Sequence, residues 1–281
     1  MSAMDTPSKT ALALPLPRWA RSFTDNRALI AQLARREFQQ RTRGAFLGIV
    51  WWLLSPLLLL CAYTFVFAYV LGIKWGVGTD GSPAEFAMRL FCSLIIYTVI
   101  AEVIAVAPDQ IVVNEQYVKR IIFPVDILPI VSLVVSSIGW IFSFVILLVM
   151  TTIFEGLPAP TALLAPVLML PVLFLAMGFG WAMSAMGVFV RDLRNAMQIV
   201  LPMLMFLSPV FYPIDRLEQY IPSIQFFHPL AAVMEQIRAS IFEPGALNFL
   251  PWITALIISI FIAWIGHALF RKLRPLFADV L

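Results

Sequence analysis

Six runs of apolar residues, most of them as long as a bilayer is thick, constrain this chain more than any other feature. They extend from Phe46 to Gly72, Phe86 to Ala107, Ile127 to Phe154, Ala162 to Val190, Ala196 to Ile214 and Pro251 to Phe270. A helix needs about 20 apolar residues to cross roughly 30 Å of hydrocarbon at about 1.5 Å per residue. The residues within the runs do not alternate apolar with polar, which speaks against a transmembrane β-barrel. Two runs are less regular than the rest: Arg89 and Glu102 interrupt the second, and the fifth is short at 19 residues. Charged residues make up only 12% of the 281 and apolar ones 61%, against roughly 25% charged in an average soluble domain. That is too little polar surface for a soluble globule and too much hydrophobicity for disorder. The expected fold class is an all-α integral membrane protein with six transmembrane helices.

Orientation follows from the basic residues. With both termini on the cytoplasmic side, fifteen of the nineteen Lys and Arg residues fall inside, and only Lys74, Arg89, Arg216 and Arg238 fall outside. The acidic residues show no comparable bias, as the positive-inside rule requires. The net charge of +3 thus reports topology and contact with anionic membrane lipid, and no basic patch with interleaved aromatics points to nucleic acid. The first 45 residues lack an apolar core of the length a cleavable signal peptide needs. The expected organisation is a mobile N-terminal tail over residues 1–23, an amphipathic interface helix over 24–44, and a single six-helix transmembrane domain over 45–281. In the interface helix Leu29, Ile30, Leu33 and Phe38 gather loosely on one side, with Arg27, Arg35, Arg36 and Arg41 elsewhere. Such a helix serves either as a basic anchor or as a docking surface for a cytosolic partner.

Several spans carry patterns. Ser132, Ser136, Gly139 and Ser143 put small residues on one face of the third, and Ala176, Gly180 and Ser184 do so on the fourth. Small-residue seams are the usual means by which membrane helices approach closely. On the first span Trp52, Pro56, Tyr63 and Phe67 form an aromatic face suited to sliding contact with sugar rings, core packing being the equal competitor. On the fifth, Gln198, Met205, Ser208 and Tyr212 form a mildly polar stripe on a segment broken by Pro202, Pro209 and Pro213. Glu102 is an ionisable residue within a span, and such residues mark either a path or a structural ion pair. Residues 215 to 250 suggest short helices that dip back into the outer leaflet, with Ile224, Phe226, Phe227, Leu230 and Val233 supplying apolar surface.

Catalytic chemistry is nearly absent. The only histidines are His228 and His267, Cys61 and Cys92 lack a metal spacing, and no Gly-Lys dipeptide exists to build a P-loop. An intramembrane protease would have to rely on Ser184 and His228, and a passive channel would carry its cargo without nucleotide.

Read in order, the motifs resemble the transmembrane subunits of type-2 ABC transporters that export polysaccharides such as O-antigen, capsule and teichoic acid. The resemblance rests on Arg35, Glu37, Arg41, Leu47, Gly48, Trp51 and Pro56, on Lys119, Phe123, Pro124 and Pro129, on Arg191 and Asp192, and on the stretch from Leu207 to Pro213. His228 before Pro229 departs from the Asn-Pro often found in that family.

The resemblance implies a channel of two copies of this chain above two copies of a cytosolic ABC ATPase, in the bacterial inner membrane. It implies a polysaccharide cargo that is lipid-linked, with no cofactor in this chain, because ATP and Mg would be bound by the partner. It assigns ATPase coupling to Arg35, Arg36, Glu37 and Arg41 and to Asn114, Glu115, Gln116, Tyr117, Lys119 and Arg120. Spans one and five would line the channel through Trp52, Tyr63, Phe67, Gln198, Met205, Ser208 and Tyr212. The helices around Ile224, Phe226, Phe227 and His228 would gate the outer exit. The same architecture carrying a drug, lipid or other small amphiphile is the alternative.

Overall fold

The computed structural model describes residues 25–42, 50–73, 75, 82–118 and 123–281. Among them the chain is helical, with no strand. Its main elements are α1 (Arg27–Thr42), α2 (Val50–Thr64, continued by π-helical Phe65–Val70), α3 (Pro83–Val113) and α4 (Glu115–Val118). There follow α5 (Leu128–Phe154), α6 (Ala165–Leu168), α7 (Leu170–Gly187) and α8 (Leu193–Leu207), then α9 (Ile214–Glu218), α10 (Ile224–Phe227), α11 (Pro229–Phe242), α12 (Phe249–Leu273) and α13 (Phe277–Val280). Four helical stretches, 83–113, 125–154, 160–187 and 249–276, are long and apolar enough to cross a membrane, and two shorter apolar helices cover 54–70 and 193–207.

Local chemistry sets the helix starts. Ser82, Pro83 and Glu85 begin α3: the Ser82 hydroxyl accepts the Glu85 backbone N–H at 3.2 Å, Pro83 takes a position whose N–H has no intrahelical partner, and the Glu85 carboxylate meets the positive end of the helix. Asn248 caps α12 by accepting the Leu250 N–H at 3.1 Å, and Arg271 and Lys272 occupy that helix's last turn, where cations meet the negative end of the dipole. The fifth apolar run yields less helix than its length predicts. α8 stops at Leu207, and Ser208 is extended, with φ −90° and ψ 149°. Pro209 disfavours helical geometry in the residue before it.

The long helices alternate in direction, so the bundle has two ends. One, here called proximal, holds α1, α4 and the C-terminal end of α12; the distal end holds the start of α3 and the end of α11. α3 is the axis of the bundle, touching α2, α5, α7, α8 and α11, and it is the most buried of the long helices. The most extensive pair is α7 with α12. There the backbones meet: a Cβ on Gly178 would lie 2.7 Å from the Ala263 nitrogen, and one on Gly266 2.0 Å from the Gly178 oxygen. The other face of α7 presses on α3, where a Cβ on Gly187 would lie 2.0 Å from the Pro108 oxygen. The expected seam of Ala176, Gly180 and Ser184 is buried as predicted, and Gly178, Gly187 and Gly266 extend it to both faces. On α5 Ser132 and Ser136 are buried, and Ser136, Gly139 and Ser143 border a cavity.

Candidate transport path and coupling elements

At the proximal end α1 lies across α5 and buries Ile30 and Ala34, two residues on the side the pattern selects. A cavity of about 490 Å³ separates α1 from the ends of α3 and α5. It is bordered by Arg36 and Glu37 from α1, by Asp109, Gln110, Asn114 and Gln116 around the α3–α4 junction, and by Ser132 and Arg194. Gln110 organises it. Its side-chain nitrogen donates to the Ser132 hydroxyl and the Leu128 carbonyl, both at 2.8 Å, while its side-chain oxygen accepts from Ser184 at 3.3 Å. Asn114 donates to the Gln110 backbone carbonyl at 2.8 Å, and Arg194 pairs with Asp109 at 2.7 Å. Two separate sets of proposed coupling residues, Arg36 with Glu37 and Asn114 with Gln116, thus share one polar cleft. Arg35 is exposed and Glu115 half-buried. Lys119 and Arg120 lie outside the described residues, and only the backbones of Arg41 and Tyr117 are described.

The residues chosen on the first and fifth runs meet through one residue that no spacing singled out. Phe211 stacks on Phe67 with centroids 4.8 Å apart, meets Tyr63 edge-on at 5.2 Å and stacks on Phe206 at 5.1 Å. Tyr212 donates its hydroxyl to the Phe206 carbonyl at 2.8 Å. Tyr97, also absent from the pattern, donates from α3 to the Leu201 carbonyl of α8. Because α8 ends at Leu207, the expected stripe does not run along one helix. Gln198 is exposed, Met205 and Tyr212 are half-buried, and Ser208 is fully buried with its hydroxyl donating to the Leu204 carbonyl at 2.8 Å. For Trp52 the backbone alone is described, within α2.

Beyond α8 the chain turns through α9 and α10, with Ser223 in the left-handed region at φ 62°, and enters α11. Ile224 and Phe226 are half-buried and Phe227 is exposed. His228 caps α11, its Nδ1 accepting the Ala231 N–H at 3.2 Å. Only a neutral imidazole can accept at that atom. His228 also borders an apolar cavity of about 360 Å³ with Ile100, Ile104, Leu204 and Ile262. The start of α11 is therefore level with Ile100 and Ile104 of α3. Its end is level with Arg89, which pairs with Glu243 at 2.6 Å and lies 5.1 Å from the Phe242 ring centre. Those levels differ by 11 to 15 residues of α3, about 16 to 22 Å, which the 14-residue α11 matches at about 1.5 Å per residue. Arg238 is buried on α11, 4.7 Å above the Trp75 ring and paired with Glu235 at 2.9 Å.

Among the described residues no group of His, Cys, Asp or Glu could hold a metal ion. A bundle of long apolar helices, a polar cleft under an amphipathic helix at one end and a buried helix folded back at the other define a multi-pass membrane protein with the parts of a transporter subunit. The family model for ABC-2 type transporters matches residues 28–242, and the chain belongs to that family. It is similar to an O-antigen export system permease protein RfbA of Myxococcus xanthus, 24% identical over 264 residues, covering 93% of this chain and 98% of that protein. Two proteins of the same name from Klebsiella pneumoniae are 22% and 20% identical over 255 and 258 residues, each covering 90% of this chain and 95% of the relative.

Proposed function

We propose that this chain is the channel-forming subunit of an ATP-driven exporter that moves a lipid-linked polysaccharide across the bacterial inner membrane. Two copies form the path, and two copies of a separate ABC ATPase bind at the proximal, cytoplasmic end. The observation that carries this reading is the similarity to three O-antigen export permeases along at least nine-tenths of the chain.

The geometry supports it. With α2 and α8 counted as spans beside the four long helices, six crossings keep both chain ends on the cytoplasmic side, where the basic residues gather. The cleft that joins α1 to the α3–α4 junction is a polar surface able to receive a push from below and pass it to α3, the axis of the bundle. α11 then acts as a re-entrant helix, tolerated in the membrane because residues from Leu230 to Ile241 are nearly all buried against protein. With α10 it closes the outer exit.

Co-expression with the ABC ATPase of the same cells, followed by purification and an assay of ATP hydrolysis and glycan export, tests the reading. A complex of the two proteins with ATP-dependent glycan export is the expected result. An ATPase that does not copurify, or ATP-driven export of a small amphiphile with no glycan moved, contradicts it.

A further inference from the structure

A second cavity lies between helices of the bundle, away from the proximal cleft and open to the outside, with Ser55, Leu59 and Glu102 among its exposed lining residues. Its volume is about 310 Å³, and it is bounded by α2, α3 and α5. Six residues give it chemistry: Ser55, Thr98, Glu102, Ser136, Trp140 and Ser143. Glu102 lies 11 residues before the end of α3, or about 16 Å, within a stretch apolar enough to span a bilayer. Its carboxylate accepts the Ser136 hydroxyl at 2.8 Å. Thr98, which borders the cavity, donates its own proton to the Ile95 carbonyl at 2.9 Å, which leaves its oxygen an acceptor. Trp140 is 7% exposed and stacks on Phe144 at 5.1 Å, and its indole N–H has no hydrogen-bond acceptor. Gly139 stands in the same wall, and Pro56 and Leu59 supply apolar surface.

We propose that this cavity is a pyranose-binding subsite that holds one sugar ring of the passing glycan. The inference rests on the glycan reading above and adds to it a place and a set of contacts. A sugar ring needs acceptors and donors around a rim of hydroxyls, and apolar surface against its C–H face. The cavity offers a carboxylate, several hydroxyls and an indole, with proline and leucine beside them. Among the described residues that border it none is basic, and one is a carboxylate. Its volume falls at the low end of the roughly 300–1,000 Å³ usual for small-molecule sites, the size of a sugar ring more than of an extended chain. An ionisable side chain such as Glu102 within a membrane span is costly and points to a functional site.

The test uses the complex with its ATPase in lipid nanodiscs and, as probe, O-polysaccharide isolated from the cells that carry the transporter. S143C in a C61S/C92A background is labelled with a water-soluble methanethiosulfonate, with and without the glycan. The expected result is labelling that the glycan slows at least fivefold. A thiol that is never labelled, or whose labelling the glycan does not slow, overturns the proposal. In parallel, Ser143→Leu and Gly139→Leu fill the cavity. Each is expected to lower export at least tenfold while the complex still assembles and hydrolyses ATP, and Glu102→Gln, which keeps an acceptor, is expected to lose less. Wild-type export by the filled variants would remove the subsite and leave the transport function standing. A wild-type protein that exports no glycan would remove the function itself.

Discussion

The two sides of this bundle are built differently. On one, α7 meets α3 and α12 so closely that Gly187 and Gly266 leave no room for a methyl group. On the other, α2 and α8 lean on α3 by narrow strips. Leu201 is the only residue of α8 that is buried, and Ile199, Met203, Phe206 and Leu207 are exposed. α8 is tethered by the Tyr97 hydroxyl, and the Phe211 cluster joins it to α2. Backbones in contact permit no sliding, because interiors are close-packed and respond to strain as a unit. A helix held by one stripe and a few aromatic rings can shift without breaking the rest. The contrast separates a closely packed frame of α3, α5, α7 and α12 from two loosely held helices, α2 and α8, which the proposed function makes the walls of the path.

The largest effect belongs to the frame. Gly187→Val is expected to abolish assembly, since its Cβ would collide with the Pro108 backbone, and size-exclusion chromatography in detergent would show aggregate in place of a monodisperse peak. A monodisperse, active variant would break the contrast. Next comes the α3–α4 junction beside the proposed coupling cleft: Glu115→Lys should leave the fold and basal ATP hydrolysis intact and reduce export at least tenfold. Unchanged export would refute the coupling role of the α3–α4 junction.

On the looser side the expected losses are smaller. Phe211→Ala removes three ring contacts and should destabilise by about 3 kcal/mol, the low end for a buried phenylalanine. Phe206→Ala, at a ring already 55% exposed, should cost well under half of that by thermal denaturation. Tyr97→Phe deletes one tether and should cost about 1 kcal/mol, with a larger relative effect on export than on the melting temperature. His228→Ala should cost about 1 kcal/mol through the lost cap, whereas Asn restores an acceptor at that position. The cap needs a neutral imidazole at Nδ1, so it is lost when acid protonates the ring. The Asn variant should lose that pH dependence.

How much of this was written in the sequence depended on whether a signal was local. The apolar run placed the start of α3 at Phe86, three residues late, because hydropathy does not mark the polar cap at Ser82-Pro83-Ala84-Glu85 that begins the helix. Ala176, Gly180 and Ser184 were legible as a seam because the helical period is local. Gly178 and Gly187 were not, since a close approach is a property of two helices and only one period can be read at a time. The stripe from Gln198 to Tyr212 was read together with the prolines that break it, but not where the break falls: the chain is already extended at Ser208, so the stripe's last two residues lie beyond the helix. Phe211 was hidden by composition, one phenylalanine among 23, and only the turn after α8 brings it back against α2. Of the proposed coupling residues, Glu37 and Asn114 were singled out through a family resemblance. Their meeting around Gln110 is tertiary, and no spacing could have shown it.

Reconstitution into proteoliposomes tests the central claim most directly. This chain would be combined with the ABC ATPase of the same cells, and the lumenal appearance of lipid-linked glycan would be followed with ATP, without it, and with an ATPase unable to hydrolyse it. The account predicts glycan translocation only when both proteins and ATP hydrolysis are present. Translocation that persists with the inactive ATPase would contradict it.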